Sequence, residues 1–266
     1  MFEESCLSDV MLKVCGQHLI EELALHKCVL FHSSDFFKAM FTTHFNESAQ
    51  QTVTIDVAEG SSVAATVLVL RYLYTSEITI GADNVMEVLA ASDKLQLPKL
   101  RSACVKFLEQ SVTAVNACTI LTVSKQLNLA PLLEACTKFI LRNGKAVLES
   151  EGFKNLTKEA VVSIISNHKL HATEEEVFEA VMSWGEAVVA RSGGAAGAVV
   201  SDAVSDLLPH LRLDEMEHAF LYNRVKESGV FSAEVLLTAM TQKLDTFTSS
   251  SKRVFDGNSQ GAEEGS

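Results

Sequence analysis

Apolar residues alternate in two short stretches near the start of the chain, at Val10, Leu12 and Val14 and again at Val53, Ile55 and Val57. A period of two turns one side of an extended segment to a core and the other to solvent, so each stretch predicts a half-buried β-strand. From Val63 onward the period changes. Val63, Val67, Leu70 and Tyr74, then Val85, Val88, Leu89, Ser92 and Leu95, recur at the spacing of one helix face. A fold with this pattern is α+β: a short sheet flanked by helices, followed by helices alone.

Turn and capping residues divide the pattern into elements. Gly16-Gln17 is a turn signal, and His18 to Leu25 is a second predicted strand. Ser34 can cap a helix that carries Asp35 in its first turn. Gly60-Ser61-Ser62 starts the Val63 helix, and Pro98 stands at a first helical position with Leu100, Cys104, Phe107 and Leu108 on the apolar face. No strand signal follows Thr113, which can cap a helix to about Leu127. Pro131 opens another helix with Leu133, Cys136 and Ile140 inward, and Gly144 after Asn143 is the expected left-handed stop. Thr157 caps a helix through Ile165. Thr173-Glu174-Glu175-Glu176 matches a capping box ahead of Val177, Val181, Trp184 and Val188. The loop Ser192 to Gly197 is flexible by composition, and helical pairs resume from Ser201 to about Leu244. The remaining tail, rich in Ser and Gly, is expected to be disordered.

Composition narrows the function classes. The chain has 266 residues, of which 47% are hydrophobic, enough for one or two globular domains. A net charge of −12 argues against nonspecific nucleic-acid binding and against anionic membrane surfaces. No apolar run reaches the roughly 18 residues of a membrane span. Glu3 and Glu4 stand where a signal peptide carries bases, so the expected location is the cytoplasm or the nucleus. Cys6, Cys15, Cys28, Cys104, Cys118 and Cys136 show no zinc-ribbon spacing, and the last three fall on apolar helix faces as small buried hydrophobes.

Motifs that carry chemistry do not form a constellation. Neither phosphate-binding glycine loop occurs, nor does a Gly-x-Ser-x-Gly nucleophile turn. His168 and His171, three apart, could share a helix face and bind a metal. Leu170-His171-Ala172, however, has the composition of a loop between helices, and surface histidines account for the pair. Glu174-Glu175-Glu176 suggests either an acidic site or a capped helix start. The expectation is a protein without catalytic residues, cofactor or metal, and therefore not an enzyme.

The aromatic run Phe36-Phe37-Lys38-Ala39-Met40-Phe41 leads into Phe45-Asn46-Glu47-Ser48, just past a predicted helix end. An exposed aromatic with an acid two residues on suits partner docking better than catalysis. The alternative is that Phe45 packs back on its own helix.

Several segments, in order, resemble the BTB/POZ domain. They are Ser8-Asp9-Val10, His26-Lys27-x-Val29-Leu30, Ser33-Ser34-Asp35-Phe36-Phe37, Met40-Phe41, Phe45-x-Glu47-Ser48, Tyr72-Leu73-Tyr74-Thr75 and Val88 to Leu95. The second half resembles the BACK domain of Kelch-like ubiquitin-ligase adaptors. Val147-Leu148-Glu149-Ser150-Glu151-x-Phe153 and Glu175 to Trp184 carry that likeness, which Leu207-Leu208, Leu211-Arg212-Leu213 and Val235 to Met240 extend. The domains implied are BTB/POZ over 8–111 and an all-α BACK domain of helix pairs over 112–244, with the tail at 245–266.

The resemblance implies a non-catalytic adaptor that links an unknown substrate protein to a cullin-3 ubiquitin ligase. A hydrophobic residue, any residue and then Glu marks the cullin-3 loop of that family. Phe45 and Glu47 match it, with Phe41 beside them. Asp9 and Lys27 match an acid and a base near the dimer groove, where their expected role is to hold the fold and the groove. The other reading is a BTB scaffold that self-associates, as a homodimer, or binds transcriptional or cytoskeletal partners without a ligase. Three departures qualify the likeness. Seven residues precede Ser8, where Kelch-like proteins carry a helix swapped across the dimer, so a weakened homodimer is expected. Gln17 to His26 looks longer than the family norm, as an extended hairpin or bulge around Glu21-Glu22. No 50-residue repeat with paired glycines, the mark of a Kelch propeller, follows Leu244.

Overall fold

Strand β1 (Val10–Cys15) is the middle of a three-stranded sheet, hydrogen-bonded to β2 (Ile20–Leu25) on one side and to β3 (Thr52–Asp56) on the other. The computed structural model that shows this describes residues 7–42, 51–192 and 199–241. β1 and β2 run antiparallel in one unbroken register from Val10↔Leu25 to Cys15↔Ile20. The hairpin between them closes through a Gly16 N–H to Leu19 carbonyl bond of 2.8 Å. The expected bulge near Glu21-Glu22 is therefore absent from the paired residues, and Glu22 lies opposite Lys13, with which it forms an ion pair at 2.7 Å. β1 and β3 run parallel, from Met11↔Thr52 to Cys15↔Asp56. The alternation does what its period requires: Val10, Leu12, Val14, Val53 and Ile55 are all buried.

The chain forms two compact units, Met1–Val112 with Ser124–Leu133, and Thr113–Val123 with Glu134–Ser266. In the first, β2 leads into α1 (Lys27–Ser33) and α2 (Asp35–Thr42). After β3 come α3 (Val63–Thr75), α4 (Val85–Lys94) and α5 (Pro98–Gln110). Ser62 caps α3 by accepting the Ala65 N–H, and its own hydroxyl meets Glu87 of α4. Pro98 occupies the first turn of α5, where its missing N–H leaves no bond unmade.

Past α5 the described chain is helical. α6 (Ala117–Gln126) and α7 (Ala130–Arg142) precede α8 (Gly144–Leu148), α9 (Glu151–Lys154) and α10 (Lys158–Ile165). The longest helix, α11 (Glu174–Arg191), is followed by α12 (Val200–Val204). α13 (His218–Phe220) then runs through a π-helical turn (Leu221–Val225) into α14 (Lys226–Ser228). Thr157 and Thr173 cap α10 and α11, the latter in a full capping box with Glu176. Trp184 is buried on α11 and donates its indole N–H to the Leu156 carbonyl at 2.9 Å. Cys104, Cys118 and Cys136 are buried, as their apolar helix faces predict.

Two sequence readings need correction. Gly144 is not a left-handed stop: it begins α8, and it is not among the residues of positive φ. A Cβ there would come within 2.6 Å of the His171 carbonyl oxygen, so glycine serves close backbone approach. On α7 it is Leu132, not Leu133, that is buried along with Cys136 and Ile140.

Candidate functional site

α2 is built as a platform. Ser34, itself buried, accepts the Phe37 N–H at 3.3 Å and donates its hydroxyl to the Leu95 carbonyl at 2.7 Å, so one side chain both caps α2 and ties it to the end of α4. Asp35 in the first turn favours the helix dipole. Phe37 is wholly buried and meets Phe36 edge-on at 5.3 Å. Phe41, one turn further on, stacks on Phe37 at 5.9 Å between ring centroids and stays half-buried. The Lys27 ammonium lies 5.8 Å from the Phe41 centroid, within reach of its ring face. Phe45 and Glu47, the residues of the motif itself, lie outside the described residues.

Asp9 and Lys27 meet through the backbone. The Asp9 carboxylate accepts the Lys27 N–H at 2.7 Å. Lys27 is the first residue of α1, and the N-cap residue His26 makes no capping bond with its own side chain. Asp9, just ahead of β1, thus satisfies a donor that α1 leaves open. Next to it, the Tyr74 hydroxyl accepts the His26 N–H at 2.8 Å and lies 3.3 Å from His26 Nδ1. Burial raises the Tyr74 phenol above its ordinary value, against the lowering effect of the His26 N–H. A helix start, a strand start and the last turn of α3 are locked together.

Beside this platform lies a groove of about 380 Å³ lined by residues that include His32, Asp35, Tyr72, Gln96 and Leu97. Its walls are the α1–α2 junction, the end of α3 and the α4–α5 turn. Spacing along the chain does not foretell this juxtaposition; it follows from the Ser34 bond to Leu95.

Among the described residues nothing assembles a reacting centre. Burial pushes the Cys104 and Cys118 thiols up to about 11, which leaves them as unreactive packing groups at neutral pH. No group of three or more His, Cys, Asp or Glu among the described residues is placed to hold a metal. His168 and His171 are exposed, and the His171 backbone bonds to Leu141 and Lys145. The triple acid is a helix start: Thr173 and Glu176 form the capping box, and Glu174 is buried against Arg212 at 2.8 Å. Burial raises the Glu174 carboxyl, and the Arg212 backbone N–H and guanidinium oppose that rise.

The family model described as "BTB/POZ domain" matches residues 1–112, and the one described as "BTB And C-terminal Kelch" matches residues 117–226. The chain is 31% identical to Kelch-like protein 2 of Homo sapiens over 210 residues, covering 79% of this chain and 34% of that protein. It is 34% identical to BTB/POZ domain-containing protein 6 of Xenopus tropicalis over 193 residues, 73% of this chain and 36% of the relative. Kelch-like protein 17 of Homo sapiens is 33% identical over 185 residues, 69% of this chain and 28% of the relative. The chain spans about a third of the length of these relatives.

Proposed function

We propose that this chain, which belongs to the BTB/POZ–BACK proteins of the Kelch-like type and is of their adaptor and scaffold kind, docks cullin-3 through α2 and the segment that follows it. The observation that carries the reading is the anchored aromatic platform. Ser34 and Phe37 fix α2, and Phe41 stands half-buried on Phe37, one short step along the chain from Phe45 and Glu47.

An aromatic inserted from such a platform into an apolar pocket of a partner acts as a hot spot of roughly 2 kcal/mol or more. Glu47 supplies a charge that sets register. The groove beside the platform supplies further contact area. The substrate protein is a separate partner, and the adaptor works by holding it near the ligase rather than by any chemistry of its own, in the cytoplasm or the nucleus.

The test is saturable binding of the full chain to the N-terminal region of cullin-3. Phe45→Ala with Glu47→Ala should weaken it at least about tenfold while the circular dichroism spectrum stays unchanged. Equal affinity for the double variant removes the loop from the interface.

A second reading, self-association without a ligase, is favoured by the β2 end of the sheet. Leu19 and Ile20 are 58% and 61% exposed there. Large apolar side chains next to an edge strand suit a second copy of the chain. Absent cullin-3 binding, together with concentration-dependent sedimentation that Leu19→Ser and Ile20→Thr abolish, would support this reading over the first.

A further inference from the structure

The second unit carries a groove of about 470 Å³ that the proposed cullin-3 contact does not use. Leu148, Ala180 and Phe220 give it an apolar floor, and Glu149, Glu175, Glu176 and Glu179 stand around it. These acids are held in place. Arg224 grips Glu179 with two bonds of 2.6 and 2.8 Å, Lys145 pairs with Glu176 at 2.7 Å, and Glu175 accepts the Glu217 N–H at 2.8 Å. Lys154, the one base among the described residues that line the groove, is paired with Glu151 at 2.6 Å. Glu186 and Glu227 add negative charge near Arg224. A pre-ordered acidic rim around an apolar floor fits a short segment that sets bases beside a large apolar side chain.

The sequence carries one pair of adjacent Lys or Arg residues, Lys252-Arg253, and it is such a segment. Between Asp245 and Ser266 the only bases are Lys252 and Arg253, and Val254 and Phe255 follow directly. The last described helical residues pack two residues from the groove lining. The helical residues 233–241 bring the Met240 carbonyl to 3.4 Å from His218 Nε2, and His218 opens the turn that ends in Phe220 on the groove floor. Lys252 stands eleven residues beyond Thr241. Extended, that length of chain reaches about 35 Å.

We propose that Lys252-Arg253-Val254-Phe255 docks into this groove of its own chain, with Phe255 on the floor and the two bases against the acidic rim. Tethering makes this economical, because a linker of this length holds the segment at an effective concentration of about a millimolar, enough to fill a groove of weak intrinsic affinity. The inference rests on the second unit alone and is independent of the cullin-3 contact.

The experiment places the photo-crosslinker p-benzoylphenylalanine at position 255 of the full chain. The expected result is an adduct at monomer mass that maps to 148–154, 180–183 or Phe220. Its yield should fall about fivefold in Lys252→Glu with Arg253→Glu, and again in Glu149→Lys. An adduct at dimer mass overturns the proposal in favour of a second copy's tail. Adducts scattered outside the groove, or a yield indifferent to charge reversal, overturn it outright.

Discussion

The Asp9 carboxylate accepts the backbone N–H of Lys27 at 2.7 Å, so the residue ahead of the first strand caps the first helix. Asp9→Ala should cost about 1 kcal/mol in urea denaturation. Asp9→Asn keeps an acceptor oxygen and should recover most of that loss. If Asn is as damaging as Ala, the charge of Asp9 matters more than its capping bond.

Phe41 and Phe45 should separate by assay. Phe41 is half-buried on Phe37, so Phe41→Ala should lower both stability, by about 1–2 kcal/mol, and cullin-3 affinity. Phe45→Ala should lower affinity alone. A stability loss of the same size for Phe45→Ala would show that it packs back on its own domain.

Gly144→Ala forces a Cβ against the His171 carbonyl, a backbone atom that cannot swing aside. A loss of about 1–3 kcal/mol is expected in thermal or chemical denaturation. An unchanged midpoint would mean that the α7–α8 junction relaxes freely.

The first turn of α11 gives a pH dependence. The Lys145 ammonium and then the Thr173 backbone N–H hold the Glu176 carboxyl below its ordinary 4.5. A carboxyl lowered by folding adds stability above its unfolded value, and that stability is lost as pH falls through the folded value. Glu176→Gln should therefore be less stable than the parent chain at neutral pH, and the two should converge in acid below pH 4.5. Parallel stability curves from neutral pH down into that range would remove Glu176 as a source of the acid sensitivity.

Trp184→Phe leaves the buried Leu156 carbonyl without its 2.9 Å partner, and should cost about 1–2 kcal/mol beyond the change in packing. Trp184→Phe with stability equal to the parent would mean that water replaces the indole.

Patterns that repeat along the chain are legible in the sequence, and bonds across it are not. The alternation at Val10, Leu12 and Val14 locates β1, and the side chains of Ser34, Thr157 and Thr173 mark three helix starts, because a strand period or a local cap is written in neighbouring residues. α1 is hidden, because the side chain that caps it belongs to Asp9, outside its own segment. The Ser34 bond to Leu95 and the Tyr74 bond to His26 span 61 and 48 residues, and no periodicity encodes either. Gly144 misleads for a related reason: a glycine after Asn143 suits a left-handed stop, whereas the oxygen that demands it belongs to His171.

The central place of β1 has a consequence for synthesis. Met11 leaves the ribosome 41 residues ahead of its partner Thr52. At translation rates of roughly 5–20 residues per second, that is a wait of about 2 to 8 s. During that interval β2 can pair with one edge of β1, but the other edge stays open while Val10, Leu12 and Val14 wait for the rest of their core. While it waits, the open edge of β1 can pair with another chain, so the arrival of β3 closes the one side of the sheet that the hairpin leaves unprotected.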